Sequence, residues 1–270
     1  MFSKIEMNLE KGNYMITSTS NAQVKALSKL IKNARARRQQ QVYIVEGIRM
    51  FRETPEDWIE KIYASESFAK EHEALLAGKD WEMLSDSVFA SVSDTKTPQG
   101  VLCVVKMREN RLEDMLQQKN GLWLILENVQ DPGNLGTMFR TGEGAGIAGV
   151  IMDRSTVDIY NPKTIRSTMG SIFRVPFFIT EDLHETIRQL QNAKISVYAA
   201  HLEGSVCYDI PDYTKGTAFL IGNEGNGLTK ETAALADTYI RIPMGGQLES
   251  LNAAMAAGIL MYEANRQRRE

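Results

Sequence analysis

The second half of the chain alternates short apolar runs with longer stretches whose apolar residues recur at helical spacing. A short uninterrupted apolar run is typical of a buried strand, and the helical spacing indicates an amphipathic helix. Apolar strands that alternate with helices form parallel sheets covered on both faces, so the pattern predicts an α/β domain with a mostly parallel sheet. The predicted strands are LWLILENV, GVIMDR, VPFFIT, SVYAAHL, TAFLIGN and TYIRIPM, and the helices between and after them are NLGTMFRTGEGA, NPKTIRSTMGSIF, DLHETIRQLQNAK, TKETAALA and SLNAAMAAGILMYEANRQRR.

Residues 11–107 show the same alternation on a smaller scale and are predicted to form a separate α/β unit. Residues 21–41 carry apolar side chains at helical spacing and predict one helix. Residues 108–120 are highly charged with few apolar positions, which predicts a linker or linking helix, and residues 121–270 form the second predicted domain. The strand candidates of the first unit are VYIVEG, KIYAS, WEMLS and GVLCVVKM.

The sequence composition argues against a membrane helix, a signal sequence and a metal site. The chain has 270 residues, of which 43% are hydrophobic and 24% are charged, as in soluble globular proteins. It contains no apolar run of the roughly 18 residues that a membrane helix needs, and its first residues lack an apolar signal core. Cys103 and Cys207 lie far from each other and from any histidine cluster. We therefore expect a cytoplasmic protein without a membrane segment or a metal site.

Charge is distributed unevenly, although the net charge is only −3. Residues 24–52 contain eight basic residues and a single acidic one, Glu46. A basic stretch in an acidic chain indicates contact with a polyanion, and a nucleic acid is the most common one. The candidate RNA-binding residues are Lys25, Lys29, Lys32, Arg35, Arg37, Arg38 and Arg49.

One glycine pattern is excluded as a dinucleotide site. Residues 144–149 read GAGIAG, which formally matches G-x-G-x-x-G. That fingerprint requires a strand before it and a helix after it. Here the predicted helix precedes the glycines and the predicted strand follows them, so the glycines predict a turn between the two elements.

Three strands of the predicted second domain end in glycine-bearing loops with polar side chains. The loops are residues 131–134, followed by a helix with Arg140, then residues 222–225 and residues 242–254. In an open parallel sheet, such loops gather at the carboxyl ends of the strands and form one site. Their glycines let backbone groups come close to a ligand.

These loops resemble the three motifs of the SpoU (TrmH) family of RNA ribose 2′-O-methyltransferases, within the SPOUT superfamily. Asn134 and Arg140 match the first motif, Asn-x-x-x-x-x-Arg, and Gly222 and Glu224 match the second, Gly-x-Glu-x-x-Gly. The residues that match the third motif are Pro243, Met244, Gly246, Ser250, Leu251 and Asn252. The resemblance covers residues 121–268, and the basic first unit looks like the L30e-like substrate-binding domain that often precedes this catalytic domain.

The resemblance implies a fold and a cofactor. The fold is a SPOUT α/β domain with a trefoil knot, which is very rare among proteins, preceded by the smaller L30e-like domain. The cofactor is S-adenosylmethionine, bound largely by backbone groups of the knot loops. By position, the residues that hold it are Ala200, His201, Leu202, Gly222, Asn223, Gly225, Ile242, Met244 and Leu251.

The resemblance also implies a catalytic set and a homodimer that packs through the knot domain, with Arg140 reaching toward the partner's site. An arginine cannot readily lose its proton, so we expect Arg140 to hold the RNA phosphate and favour the alkoxide. Glu224 and Ser250 could also simply cap the following turn and the last helix. The predicted catalytic residues are Arg140, Asn134, Glu224, Ser250 and Asn252.

The predicted activity is S-adenosylmethionine-dependent methyl transfer to a ribose 2′-hydroxyl, with 23S-type ribosomal RNA as the expected substrate and no metal. Three alternatives stay open at this point: 2′-O-methylation of transfer RNA, methylation of a base, and a non-catalytic RNA-binding protein of ribosome assembly. The target nucleotide is not specified by the sequence, because ribose methylation requires no particular base.

Overall fold

Two structural units make up the protein. The computed structural model describes residues 15–201, 206–247 and 250–269. The predicted start of the first domain at Lys11 lies outside these residues. The described residues up to Arg108 form the first unit together with Tyr160–Arg166, and the remaining described residues form the second unit.

The first unit is built on a four-stranded mixed sheet. Its strand order is β1-β4-β2-β3, in which β4 runs antiparallel to both β1 and β2, and β3 runs parallel to β2. The sheet is covered by α1, whose apolar face is buried, and by five shorter helices. The elements are α1 (Ala22–Lys32), α2 (Ala34–Gln40), β1 (Val42–Glu46), α3 (Ile48–Glu53), β2 (Ile59–Ser65), α4 (Glu66–Glu71), α5 (Glu73–Leu76), β3 (Trp81–Leu84), α6 (Asp86–Val92) and β4 (Val101–Lys106).

The helix predicted over residues 21–41 is two helices. Asn33 ends α1, because its backbone N–H bonds the Lys29 carbonyl while its own φ is −130°. The Asn33 side chain then accepts the Ala36 N–H at 3.1 Å and begins α2. Asparagine is among the preferred N-cap residues, so one side chain both interrupts and restarts the helical path.

The second unit is a parallel sheet with helices, as predicted, but the sheet has seven strands rather than the predicted six, because the short strand β9 was not predicted. The strand order is β7-β6-β5-β10-β8-β11-β9, and all its pairings are parallel. Its elements are α7 (Leu112–Met115), β5 (Leu122–Leu126), α8 (Pro132–Ala145), β6 (Gly149–Asp153), β7 (Phe177–Thr180), α10 (Leu183–Asn192), β8 (Ser196–Ala200), β9 (Val206–Cys207), β10 (Thr217–Ile221), α11 (Lys230–Ala233), β11 (Thr238–Arg241) and α12 (Ala253–Arg269). Helix α9 (Pro162–Thr168) is divided between the units, because its residues up to Arg166 belong to the first.

The segment predicted as a linker belongs to this second unit from Glu109 onward. Residues 112–115 form α7, and the side chains of Leu112 and Met115 are buried in the core beside Trp123. The predicted trefoil knot and the L30e-like character of the first unit stay predictions. No helix in the described ranges is long and apolar enough to cross a membrane.

The strand order places the carboxyl ends of four strands side by side. Strands β5, β10, β8 and β11 are consecutive in the sheet and parallel, although they are not consecutive in the chain. Their carboxyl ends therefore lie along one edge. The central strands β5 and β10 are buried over their whole length, so the loops that follow them begin from a rigid base.

Candidate active site

The first loop is organised by the start of α8. Asp131 is the N-cap, and its carboxylate accepts the backbone N–H of Asn134 at 2.8 Å. Pro132 occupies the first helical turn, where its missing N–H costs nothing. The cap places the amide of Asn134 at the helix N-terminus, facing the ends of the neighbouring strands.

The second loop presents Glu224 to the first. The Glu224 carboxylate accepts three hydrogen bonds, from the backbone N–H groups of Gln130 (3.0 Å) and Asp131 (2.9 Å) and from Nδ2 of Asn134 (3.0 Å). Burial raises the pKa of Glu224, but these three donors outweigh it and hold the pKa below its ordinary value. The carboxylate thus joins the loops after β5 and β10.

A close backbone approach shapes the second loop and requires Gly222. Asn223 and Gly227 exchange backbone hydrogen bonds of 3.0 and 2.9 Å, which fold the loop back on itself. A Cβ at Gly222 would lie 2.2 Å from the Gly227 carbonyl carbon. The sequence suggests that this glycine makes room for a ligand. The structure shows another reason for a glycine here, because the loop folds back so closely on Gly222 that no side chain would fit.

The third loop ends in Asn252, which caps the last helix. Its side-chain oxygen accepts the N–H groups of Ala254 (2.9 Å) and Met255 (3.2 Å). This corrects the suggestion that Ser250 caps α12. The Asn252 amide group donates to Oδ1 of Asn134 at 3.0 Å, so the third loop is linked to the first.

Together these contacts form a directed chain of hydrogen bonds. A carboxylate can only accept, so the Asn134 Nδ2 must face Glu224 and its Oδ1 must receive the proton of Asn252. The order Asn252 to Asn134 to Glu224 fixes the orientation of both amides. Three motifs far apart in sequence are thereby joined through one side chain.

An open cleft of about 800 Å³ lies where the three loops meet, and we call it the strand-end cleft. A volume of this size is common for small-molecule sites. Five of the predicted site residues line it. The complete lining is Gln130, Asp131, Asn134, Glu224, Ser250, Leu251, Asn252 and Ala253.

Arg140 is not among the residues that line the strand-end cleft. It lies six residues after Asn134 on α8, which turns its side chain about 120° away around the helix axis. The side chain is exposed and makes no hydrogen bond or ion pair within the described ranges. The structure therefore leaves this guanidinium available to a group outside the chain.

The remaining cofactor candidates lie along the same sheet edge. Ala200 ends β8 beside Ile240 of β11, and the His201 N–H donates to the Ile240 carbonyl at 3.0 Å. The His201 ring lies 5.1 Å from that of Tyr239. Ile242 and Met244 follow β11 and are half-buried. Leu202 lies outside the described residues.

Two cofactor candidates of the second loop differ in whether they are free to bind a ligand. The side chain of Asn223 is already hydrogen-bonded within the protein, because its oxygen accepts the N–H groups of Gly225 and Asn226 and its Nδ2 donates to the Asn128 carbonyl. Gly225 is exposed. A ligand would therefore meet the backbone of this loop rather than the Asn223 amide.

The basic residues of the first unit divide into two groups. Arg37 is only 3% exposed, and its guanidinium donates to the carbonyls of Leu30 (2.7 Å) and Ile31 (3.0 Å) at the end of α1. Arg37 therefore stabilises the end of α1. The prediction that it contacts RNA is wrong, because its guanidinium is buried. The other candidates are exposed, namely Lys25, Lys29, Lys32, Arg35, Arg38 and Arg49.

Three lining residues were not among the predicted site residues, namely Gln130, Asp131 and Ala253. The Asp-Pro pair before a predicted helix is a readable N-cap signal, and it could have identified Asp131. Gln130 acts through its backbone N–H, and no pattern of side chains could have identified it. No cluster of three or more metal-ligating side chains occurs among the described residues.

Two family models match the sequence. Residues 121–262 match the SpoU rRNA Methylase family, and residues 21–103 match the MRM3-like substrate binding domain. The first match contains Asn134, Glu224 and Asn252, which form the hydrogen-bond chain.

Known rRNA methyltransferases resemble the chain over 69% or more of its length. The 23S rRNA (guanosine(2553)-2′-O)-methyltransferase RlmP of Bacillus subtilis is 33% identical over 256 residues, which cover 92% of this chain and 97% of that protein. The 23S rRNA (uridine(2479)-2′-O)-methyltransferase of Streptomyces viridochromogenes is 31% identical, over 69% of this chain and 67% of its own length.

Solved structures agree with these sequence matches. The AdoMet-bound rRNA methyltransferase of Sinorhizobium meliloti superposes with a TM-score of 0.83 at 32% identity, covering 94% of this chain and 97% of that one. The SpoU methyltransferase AviRb of Streptomyces viridochromogenes, in complex with AdoMet, superposes with a TM-score of 0.85 at 27% identity, covering 93% and 99%. The chain belongs to the SpoU rRNA methylase family.

Proposed function

We propose that the protein transfers a methyl group from S-adenosylmethionine to a ribose 2′-hydroxyl of ribosomal RNA. The observation that carries this proposal is the hydrogen-bond chain from Asn252 through Asn134 to Glu224, which joins the three family motifs at the strand-end cleft. The similar proteins of Bacillus subtilis and Streptomyces viridochromogenes are named as 23S rRNA 2′-O-methyltransferases, which favours ribosomal over transfer RNA.

The residues along the sheet edge suit S-adenosylmethionine. Ile242, Met244 and Leu251 are half-buried apolar side chains that could pack against an adenine ring, and Gly225 offers exposed backbone for polar groups. At Gly245 a Cβ would meet no atom within 4 Å, so the third loop leaves room beside its backbone. When bound, the cofactor supplies a methyl group already activated by its sulfonium.

The chain's own residues must orient the ribose and manage charge. A ribose hydroxyl is a weak acid that loses its proton during attack, so the site must stabilise negative charge on its oxygen. We assign this role to the guanidinium of Arg140, which stays protonated and can also bind the adjacent phosphate. Asn134, Ser250 and Asn252 orient the ribose, and Glu224 holds Asn134.

A homodimer would bring Arg140 to a cleft. Arg140 points away from the cleft of its own chain, as the helical geometry of α8 shows. The helix α12, which packs on α8, exposes Met255 (59%) and Tyr262 (49%) two turns apart on one side. Exposed large apolar side chains on one helix face are typical of an interface. We propose that two copies pack through this face, so that Arg140 of each copy reaches the strand-end cleft of the other.

The first unit is proposed to bind the RNA through the exposed basic residues of α1, with Lys25, Lys29 and Lys32 as its main contacts. They follow at spacings of four and three residues, so they share one face of the helix. Phosphate contacts position RNA without reading its sequence. A protein that modifies ribosomal RNA is expected in the cytoplasm.

Methyl transfer to ribosomal RNA tests the proposed function directly. The protein is incubated with methyl-labelled S-adenosylmethionine and protein-free ribosomal RNA or ribosomal particles, and the RNA is digested to nucleosides. We expect label only in 2′-O-methylated nucleosides, and none with the Asn134→Ala variant. Label on a base would instead establish base methylation. RNA binding without any transfer would establish a non-catalytic protein.

A further inference from the structure

A buried carboxylate beside the strand-end cleft has no role in the methyl transfer itself. Glu127 lies one residue beyond β5 and extends its pairing with β10, because its N–H donates to the Ile221 carbonyl at 3.0 Å. The residue is only 8% exposed. It does not line the cleft, and no basic side chain pairs with it within the described ranges.

Neutral donors from one short segment satisfy this carboxylate. Oε2 accepts the backbone N–H of Thr229 at 2.8 Å, and Oε1 accepts the hydroxyls of Thr229 (2.8 Å) and Thr232 (2.5 Å). A buried carboxylate without such bonds is strongly disfavoured. The Thr232 hydroxyl uses its single hydrogen in the bond to Glu127, so its oxygen accepts a hydrogen bond from Nε2 of His184, which lies 2.9 Å away.

These bonds hold the far end of the Glu224 loop. The loop leaves β10 at Gly222, and Thr229 follows it and caps α11. The near end is held by Asn223, whose Nδ2 donates to the Asn128 carbonyl at 2.9 Å. Residues 127 and 128, at the end of β5, therefore anchor the loop on both sides.

We propose that Glu127 is a positioning residue, which sets the backbone of residues 222–225 for S-adenosylmethionine and the carboxylate of Glu224 for Asn134. The inference rests on the proposed function, because it names the cofactor. The Asn223–Gly227 pair closes the loop on itself but does not fix the loop against β5, so its precise position depends on such anchors. Without Glu127, the loop would keep the hydrogen bond of Asn223 to Asn128 at its near end and lose the bonds of Thr229 at its far end.

The chain contains a matched control for this residue. Glu46 ends β1 in the first unit, is 6% exposed, and also accepts one backbone N–H (Asp94) and two hydroxyls (Ser93 and Thr95). Glu46→Ala therefore removes the same kind of buried carboxylate from the other structural unit. Any effect that Glu127→Ala has and Glu46→Ala lacks belongs to the position rather than to lost stability.

Two measurements test the proposal on the full chain. The first is the dissociation constant for S-adenosylmethionine by calorimetry, well below the melting temperature of each variant. We expect Glu127→Ala to raise it at least about tenfold, because small displacements of positioned groups have large effects. Glu46→Ala should leave it unchanged. RNA affinity should be the same for Glu127→Ala and the wild type.

The second measurement is amide hydrogen exchange of the loop, which needs no cofactor. The N–H groups of Gly227 and Thr229, both hydrogen-bonded in the loop, should exchange faster in Glu127→Ala and at the wild-type rate in Glu46→Ala. If the wild type itself binds no S-adenosylmethionine, the proposed function fails, and the exchange rates still decide whether Glu127 anchors the loop.

Glu127→Gln distinguishes positioning from charge. The glutamine side chain keeps one oxygen that can accept the Thr229 N–H. Its NH₂ group can donate to the hydroxyl oxygens of Thr229 and Thr232, because a hydroxyl can accept a hydrogen bond as well as donate one. We expect affinity within about threefold of the wild type. A folded Glu127→Ala with unchanged affinity and exchange would overturn the proposal, and so would a Glu127→Gln as weak as Glu127→Ala. If Glu127→Ala does not fold, Thr232→Val, which removes one of the three bonds, must show the same two effects in smaller degree.

Discussion

At the scale of single residues, Asn134 is the side chain on which the three loops converge. It donates to Glu224 and accepts from Asn252 at the same time. An aspartate could not donate to a carboxylate, and a serine is too short to present two groups so far apart. The amide is therefore required by its two partners, independently of any role toward the ribose.

Glu224 yields a pH prediction. Its pKa is depressed in the folded protein, so its contribution to stability is present above the ordinary value of 4.5 and is lost as the pH falls through the lower folded value. The urea midpoints of the wild type and Glu224→Gln, measured from pH 7 to pH 3, should differ by a constant amount above pH 4.5 and converge below it. A difference that grows as the pH falls would contradict this assignment.

Residue identity alone did not reveal which basic side chains are available. Arg37 and Arg38 are neighbours in one basic stretch, yet the first is buried against the end of α1 and the second is exposed. The helical turn between them decides this difference. A charge count over the stretch therefore overstates its capacity to bind RNA.

At the scale of elements, the terminal helix is tied to the sheet by one arginine. The Arg268 guanidinium, near the end of α12, donates to four carbonyls, and burial lowers its pKa. The acceptors lie just before β5 and β10, and they are Tyr213 (2.8 Å), Asn120 (2.8 Å), Gly121 (3.3 Å) and Lys215 (2.6 Å). The planar fork of arginine suits such a set, and an ammonium group does not.

We therefore expect Arg268→Lys to lower the free energy of unfolding by about 1–3 kcal/mol, because it leaves partly buried carbonyls without donors. The measurement is urea denaturation followed by circular dichroism. Arg269→Lys is the matched control on the same helix, since Arg269 is exposed, and should change the free energy of unfolding by less than about 0.5 kcal/mol. Equal effects of the two changes would refute the special role of Arg268.

At the scale of the whole molecule, catalysis is predicted to need two chains. Asn134→Ala and Arg140→Ala should each be nearly inactive as homodimers. Mixed under conditions that exchange subunits, they should recover about a quarter of wild-type turnover, because half the dimers are mixed and each mixed dimer has one intact site. The readout is methyl transfer to ribosomal RNA.

A second mixture controls for this experiment. Asn134 and Glu224 bond each other within one chain, so Asn134→Ala mixed with Glu224→Ala should recover nothing. No recovery in the first mixture would mean that Arg140 acts within its own chain. Recovery in the second mixture would mean that restored turnover does not report a site shared between two chains.

The proposed binding of RNA by the first unit is tested by salt dependence. The triple variant Lys25→Gln, Lys29→Gln, Lys32→Gln should flatten the plot of log affinity against log salt, by about 0.7–0.9 for each phosphate that is no longer neutralised. The matched control removes the same charge from Lys61, Lys70 and Lys79, which are paired with carboxylates. The control should keep the wild-type slope, and an equally flattened slope in both variants would remove α1 from the RNA path.

Local sequence patterns were sufficient to predict most of the helices and strands and the loops that carry chemistry. Helical and strand periodicity are local properties, so the alternation, the parallel sheet and the polar strand ends could be read directly. The three motifs were recognisable for the same reason, because each is a short segment with its own strand and turn.

How these parts meet depends on contacts between segments that are far apart in the chain. The Asn134 bonds to Glu224 and Asn252 span 90 and 118 residues, and they exist because the sheet order β5-β10-β8-β11 differs from the chain order. Strand order, the burial of Arg37 and Glu127, and the direction of Arg140 all depend on packing between distant segments. Such packing is a property of the folded whole, and no local pattern of residues encodes it.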